Sequence, residues 1–279
     1  MKGYAKRALS LLADLLGIFL VVIVFLLPFY FIIVNSLKDR RSAGLMEISW
    51  PEETHFLENY WTVLSDQDFK LLKAFGVSAF VTVVAIVIII LICSMAGYVL
   101  QRRQSRLSLA AQFLILVGLM LPPSILPTIW VLDFFHLFPT VWGLILVEVA
   151  LQVPFVTMLY RSYLSTIPKE IEEAAAIDGC GRLSVFFKII FPLLKPVTAT
   201  VVVLTAVTIF NDFVNPLYFL PGAQNATVSL TLYSFMGQYG SAWNLLFADI
   251  VLISLPPFLL FLFFNKRIVD GLASTSLKG

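Results

Sequence analysis

Long stretches of this chain are apolar with no charge to interrupt them. Residues 15–37, 74–101 and 107–132 contain no Asp, Glu, Lys or Arg. Crossing ~30 Å of hydrocarbon takes roughly 20 helical residues, and each run is that long. In lipid the backbone has to satisfy its own hydrogen bonds, so these runs are predicted to be helices. The ~10-residue alternating strands of a membrane barrel are absent from the pattern. Three further apolar stretches each hold one acid: 141–160 with Glu148, 197–220 with Asp212 and 244–265 with Asp249. The pattern therefore predicts an all-α polytopic membrane protein. Its six transmembrane helices fall near 15–35, 75–100, 109–131, 141–160, 197–220 and 244–265, with short terminal segments 1–14 and 266–279. The first run is too long for a signal-peptide core and has no small-residue cleavage site after it, so it reads as a retained anchor. Pro122, Pro123 and Pro127 predict a kink or unwinding in the third span.

Composition agrees with this class: 59% of residues are apolar and 13% charged, against about 25% charged in soluble domains. The net charge of +2 says little; its placement says more. On one side of the six-span topology lie Lys2, Lys6, Arg7, Arg102, Arg103, Arg106, Arg161, Lys169, Arg182, Lys188, Lys195, Lys266, Arg267 and Lys278. The other side has Lys38, Arg40, Arg41, Lys70 and Lys73. The positive-inside rule then puts both termini and the loop 161–195 in the cytoplasm. The first outer loop, 36–73, also carries Asp39, Glu47, Glu52, Glu53, Glu58, Asp66 and Asp68. Cys93 falls within a span and Cys180 within a cytoplasmic loop, so no disulfide is expected.

The loop 161–195 is polar but patterned. Pro168 suits a first helical turn, and Glu170, Glu172 and Glu173 sit near that positive end. Ala174, Ala175 and Ala176 favour helix and let a partner surface approach closely. Asp178-Gly179 stops the helix, with Gly179 free to adopt the left-handed C′ conformation. Leu183, Phe186, Phe187 and Ile190 are spaced to form one apolar face of a second helix, and Pro192 and Pro196 punctuate the return to the membrane. Taken alone, this helix–glycine–helix fits a coupling element or an amphipathic loop lying on the membrane.

The full spacing decides between them. Glu173-Ala174-Ala175, two residues, Asp178-Gly179, then Phe186, Ile189, Pro192 and Pro196 closely resembles the "EAA loop" of bacterial ABC importer permeases. Cys180 stands where that family usually has Ala. Further resemblances are to the second membrane subunit of the maltose/oligosaccharide (carbohydrate-uptake) group. They are Asn35-Ser36-Leu37-Lys38, Glu58-Asn59-Tyr60, Leu121-Pro122-Pro123 with Pro127, Phe210-Asn211-Asp212-Phe213 with Pro216-Leu217, and Gly271-Leu272 through Leu277-Lys278-Gly279. Phe210 replaces the group's usual Trp, and Ser-Thr-Ser near the end replaces Gly-Ala-Val. The resemblance implies a type I ABC importer permease fold. It implies a second, different permease subunit, an ATPase dimer that binds the ATP and Mg, and an extracytoplasmic solute-binding protein. The cargo implied is a sugar or oligosaccharide. Glu170, Glu173, Ala174, Ala175, Asp178, Gly179, Phe186 and Pro192 would couple to the ATPase, and the chain itself would hold no cofactor.

Polar residues inside spans are rare and usually face protein or water. Asp212, beside Asn211 and near Asn215, either lines the substrate path or forms a structural hydrogen-bond cluster. Pro216 favours a local break there. Glu148 and Asp249 are expected to pair with another span. Trp130 and Trp142 read as interfacial anchors, with Trp130 also a candidate for stacking on sugar. The single histidines of the outer loops, His55 and His136, are assigned no metal or proton role. The loop 221–243 has no charge, contains the sequon Asn225-Ala226-Thr227 and is expected to meet the binding protein.

No G-x-x-x-x-G-K-[ST] phosphate loop is present, nor any nucleophile triad, metal-ligand cluster or basic-aromatic nucleic-acid face. The expected role is conduit and lever in an inner membrane, not enzyme. No Lys or Arg lies deep in a span, which favours a neutral cargo over an anionic one; a glycerol-phosphate-type or other polyol solute is the alternative cargo for the same machine. An ion-coupled secondary transporter working through Asp212, Glu148 or Asp249, and a membrane assembly protein, are the alternatives from other classes.

Overall fold

The computed structural model describes residues 2–103, 105–222, 226–236 and 241–276, with side chains within 14–259 and 261–263. The helices are α1 (Lys2–Ser36), α2 (Arg40–Gly44), α3 (Phe56–Arg102), α4 (Arg106–Met120), α5 (Ile125–Phe134), α6 (Val141–Leu164) and α7 (Glu170–Ile177). They continue as α8 (Arg182–Val185), a π turn (Phe186–Ile190), α9 (Phe191–Leu193), α10 (Lys195–Phe210), α11 (Val214–Phe219) and α12 (Trp243–Ser276), with a 3₁₀ segment at Val228–Phe235. There is no strand among the described residues. Asn225 of the sequon and residues 237–240 and 277–279 lie outside the described residues.

Among the described residues, four helices are by themselves long and apolar enough to cross a membrane: Asp14–Ser36, Phe56–Arg102, Val141–Leu164 and Trp243–Phe263. A fifth span results if Arg182–Leu193 and Lys195–Phe210, bent by 73°, count as one. The predicted span near 109–131 is not one helix. It is split into α4 and α5 by Leu121–Ser124, where Leu121 has ψ 131°. Pro122 and Pro123 lack N–H donors, and a residue before proline is driven out of the α region. The predicted span near 197–220 ends its first helix at Phe210 and resumes at Val214.

The chain divides into two compact units. One comprises residues up to Leu72 together with Thr231–Leu255. In it, α3 runs to a break at Asp66–Phe69, where Gln67, Asp68 and Phe69 all have φ between 44° and 57°. Three consecutive non-glycine residues in the left-handed region are unusual. The break falls just before the charge-free run that begins at residue 74. The motif residues after α1 are knitted into a buried polar knot. The Asn59 amide donates to the carbonyls of Ser36 (2.9 Å) and Lys38 (2.8 Å) and accepts from Asn244 Nδ2 at 2.8 Å. Lys38 Nζ donates to the Glu47 carbonyl (2.8 Å) and to Asn35 Oδ1 (3.3 Å), and the Ser36 and Tyr60 hydroxyls lie 3.0 Å apart. Asn35, Ser36, Lys38 and Asn59 are all buried.

The other unit comprises Lys73–Leu230 and the chain from Pro256 onward. Its core is built on α6. Leu144, Ile145, Val156, Tyr160 and Leu164 pack with Ala85, Ile89 and Cys93 of α3, with Ile190 and Leu194 at the end of the polar loop and with Val201 of α10. α6 begins at an N-cap, Thr140, whose hydroxyl accepts from Gly143 N–H at 3.0 Å. Burial of apolar surface drives little association inside lipid, so close packing and side-chain hydrogen bonds carry more of it. The Tyr160 hydroxyl accordingly donates to Thr198 Oγ1 at 3.0 Å. At Gly97 of α3 a Cβ would stand only 3.0 Å from Tyr160 Cβ and 3.1 Å from Arg161 N. The absence of a side chain is what lets the two helices meet. By contrast, α4 buries none of its residues within the chain.

Candidate functional site

The loop between α6 and α10 forms the helix, bend and second helix that its sequence predicts. α7 starts at Glu170, two residues beyond Pro168, with Glu170, Glu172 and Glu173 in its first turn. It ends in a Schellman motif: Cys180 N–H bonds to the Ala175 carbonyl (3.0 Å) and Gly179 N–H to that of Ala176 (3.1 Å). Gly179 takes the left-handed conformation this closure needs, at φ 81°. No Cβ clash would occur there, so the glycine is required by backbone conformation and not by crowding.

The acids of this loop fall into two sets. Glu170, Glu173 and Asp178 are exposed, as are Ala174 and Pro192. Glu172 turns inward: its Oε1 is 2.6 Å from Arg102 Nε and its Oε2 accepts from the Tyr98 hydroxyl at 2.8 Å. Arg102 also donates to the Ile167 carbonyl at 2.9 Å. Sequence reasoning grouped Glu172 with its neighbours, because nothing local marks a partner seventy positions away.

Two expected docking residues prove to face the chain. Ala175 and Phe186 are buried in the α6 core. They seat the loop on the membrane helices and do not form its outer surface. The second helix also departs from the expected face. A π turn at Phe186–Ile190 widens the backbone, so Val185, Phe186 and Ile190 point inward while Leu183 and Phe187 are exposed. A 3.6-residue period cannot anticipate that shift.

Deeper in the same unit, Asp212 caps α11. Its Oδ1 accepts from Val214 N–H at 2.9 Å and Asn215 N–H at 3.4 Å. Asn215 Nδ2 donates to Glu148 Oε1 at 3.2 Å, and the Asp212 carboxyl lies within interaction range of Glu148. Glu148 is 2% exposed. Asn215 also lines a cavity of about 90 Å³ with Ser124, Thr128 and Phe219. Structure thus brings Asp212, Asn215 and Glu148 together. Asn211 is exposed. Trp130, 69% exposed on α5, does not line that cavity. In the other unit Asp249 is fully buried and accepts from the Thr231 hydroxyl at 2.9 Å. Glu148 is thus bonded to α11, in another predicted span, whereas the partner of Asp249 is Thr231 in the 3₁₀ segment and not another span. His55 contacts Glu58 at 2.9 Å, and this pairing raises its pKa above the ordinary value. His136, at φ 56°, closes the end of α5, since Leu137 N–H bonds to the Leu132 carbonyl at 2.8 Å. Cys93 is buried and Cys180 exposed, both free. No cluster of metal-ligating side chains is found among the described residues.

Apolar helices long enough to cross a membrane, with a capped and exposed helix on a polar loop among them, describe a membrane protein. The chain belongs to the family of binding-protein-dependent transport system inner membrane components, whose model matches residues 89–273. It is a permease subunit and not an enzyme. It is 31% identical over 253 residues to the probable starch degradation products transport system permease protein AmyC of Thermoanaerobacterium thermosulfurigenes, covering 90% of this chain and 91% of that one. It is 32% identical to the melibiose/raffinose/stachyose import permease protein MelC of Bacillus subtilis, covering 91% of each. The fold is that of a subunit of a bacterial ABC transporter involved in the import of alginate, with a TM-score of 0.78 at 21% identity, over 94% of this chain and 97% of that one.

Proposed function

We propose that this permease forms half of the translocation pathway of an ABC importer for a sugar or oligosaccharide. A second, different permease subunit completes the pathway, and an extracytoplasmic binding protein delivers the solute. An ATPase dimer, which binds the ATP and Mg, docks on α7 from the cytoplasm; both termini lie on that side. The observation that carries this reading is the exposed surface of Glu170, Glu173, Ala174 and Asp178 on a helix closed by Gly179. Among the described residues no side-chain hydrogen bond or ion pair engages these acids, and the exposed carboxylates of Glu170 and Glu173 in the first turn and of Asp178 at the C-cap suit a cationic cleft. ATP-driven closure of the dimer would move α7 as a rigid lever and switch the pathway between inward- and outward-facing states.

The relatives named for starch degradation products and for melibiose, raffinose and stachyose favour carbohydrate over a polyol or glycerol-phosphate cargo. A pathway role is assigned to Asn215, Asp212 and Asn211, whose amides and carboxyl are suited to sugar hydroxyls. Lipid meets the exposed apolar faces of α1 and α4. Nucleic acid has no part.

The test is co-purification with the partner subunits. Wild type is expected to bring down the ATPase and to support binding-protein-stimulated ATP hydrolysis. Glu173→Ala and Gly179→Pro are expected to lose the ATPase or uncouple it. Transport by a preparation free of any ATPase would overturn the reading.

A further inference from the structure

α7 is joined covalently to α6 on one side and to α8 on the other. A lever held only at its ends would swing on its linkers when pushed. Side-chain hydrogen bonds from α3 tie down its first turn and the linker ahead of it. Glu172 receives Arg102 Nε at 2.6 Å and the Tyr98 hydroxyl at 2.8 Å. The same guanidinium holds the Ile167 carbonyl, in the linker ahead of α7, at 2.9 Å. The ion pair is well shielded, with side chains 11% and 15% exposed. The Tyr98 ring packs on Phe186, centroids 5.3 Å apart, on the far side of the bend. α3 is itself clamped to α6, where Gly97 admits close contact and Arg161 Nε donates to Gln101 Oε1 at 3.3 Å.

We infer that Tyr98, Arg102 and Glu172 form a strut that transmits displacement of α7 to the membrane span of α3, so that Glu172 is a positioning residue distinct from the docking acids Glu170, Glu173 and Asp178. This rests on the reading of α7 as the ATPase-docking helix. A shielded, charge-assisted pair with planar geometry is short and directional. Pushing on α7 therefore drags α3, where a flexible linker would absorb the motion. Docking and force transmission are then carried by adjacent glutamates about 100° apart on one helix turn.

The experiment uses the assembled importer reconstituted in lipid vesicles. Four quantities are read for each variant: ATPase retained per permease, thermal stability, stimulated ATP hydrolysis and solute uptake. Glu172→Gln keeps shape and removes the charge; Tyr98→Phe removes one hydroxyl. The expected result is full retention of ATPase and continued hydrolysis in both. Uptake per ATP falls on the order of tenfold in Glu172→Gln, within the ordinary range of coupling energies, and about two- to threefold in Tyr98→Phe, the lower end of what single substitutions along a coupling network produce. If Glu172→Gln fails to assemble, Tyr98→Phe decides. Uptake per ATP at the wild-type value, or lost only in proportion to assembled complex, overturns the strut and leaves a structural ion pair. Wild type that never retains an ATPase is a different failure: the docking reading falls, and the strut with it.

Discussion

The knot around Asn59 and the outer surface of α7 are both built from polar motif residues, and they treat those residues in opposite ways. In the knot, Asn35, Ser36, Lys38 and Asn59 are buried, and their side chains bond to carbonyls and amides of the same unit. On α7, Glu170, Glu173 and Asp178 remain in solvent. A recurrent polar motif therefore has two physical meanings. Where its groups are satisfied within the chain, the motif specifies a fold. Where they are left facing outward on a rigid, capped element, it supplies the exposed surface on which the proposed docking rests. Glu172 and Glu173 carry that distinction across a single peptide bond.

Substitution can break this comparison. The largest effect on folding is expected at Asn59→Leu. It strands two buried carbonyls and the Asn244 amide, and unsatisfied buried groups cost roughly 1–3 kcal/mol each. A loss of about 3 kcal/mol should appear as a lower melting temperature of the detergent-solubilised chain, with uptake falling only as folded protein is lost. Glu173→Ala is expected to do the reverse, with stability within about 0.5 kcal/mol of wild type and ATPase retention abolished. Should the two variants melt alike, the division between folding motif and docking motif is wrong.

Lys38→Met probes the knot more gently. The aliphatic stem is replaced, but the Glu47 carbonyl and Asn35 Oδ1 lose their shared donor. A cost of about 1–2 kcal/mol is expected, measured by the same melting assay. The smallest effect lies in the adjoining loop. Glu58 raises the pKa of His55 above 6.5 by hydrogen bonding. A raised pKa means the pairing stabilises the fold fully below pH 6.5 and loses that contribution as pH rises through the folded-state value. The imidazole titration followed by NMR should have its midpoint above 6.5 in wild type and move back down in Glu58→Gln. Melting temperature should barely change, because the pair is exposed.

Much of this architecture is legible in the chain. The charge-free runs mark α1, the later part of α3 and the α4–α5 region because lipid tolerates neither charges nor open backbone groups. Pro122 and Pro123 announce the break between α4 and α5, and Gly179 the bend after α7, since each is tied to a specific backbone geometry. What stayed hidden depends on distant partners. Glu172 looks like Glu173 until Arg102 and Tyr98 are brought beside it. Asp212 and Glu148 lie in separate apolar runs until α11 and α6 meet. The break at Asp66–Phe69 contains no glycine or proline to announce it.

The π turn at Phe186–Ile190 has a consequence for what kinds of sequence change this fold tolerates. Such a turn is equivalent to one extra residue threaded into an α-helix, and each α-helical residue turns the chain by about 100°. A π turn spreads its extra residue over one wider turn, so the helix before it and the helix after it keep nearly the orientation that an unbroken α-helix would give them. Excising one residue there would let the turn close to an α turn and leave Leu194 and Val197 facing the core they now fill. The same deletion in a regular turn of α10 would rotate everything beyond it by about 100°. The segment is a place where the chain can lose a residue without losing register.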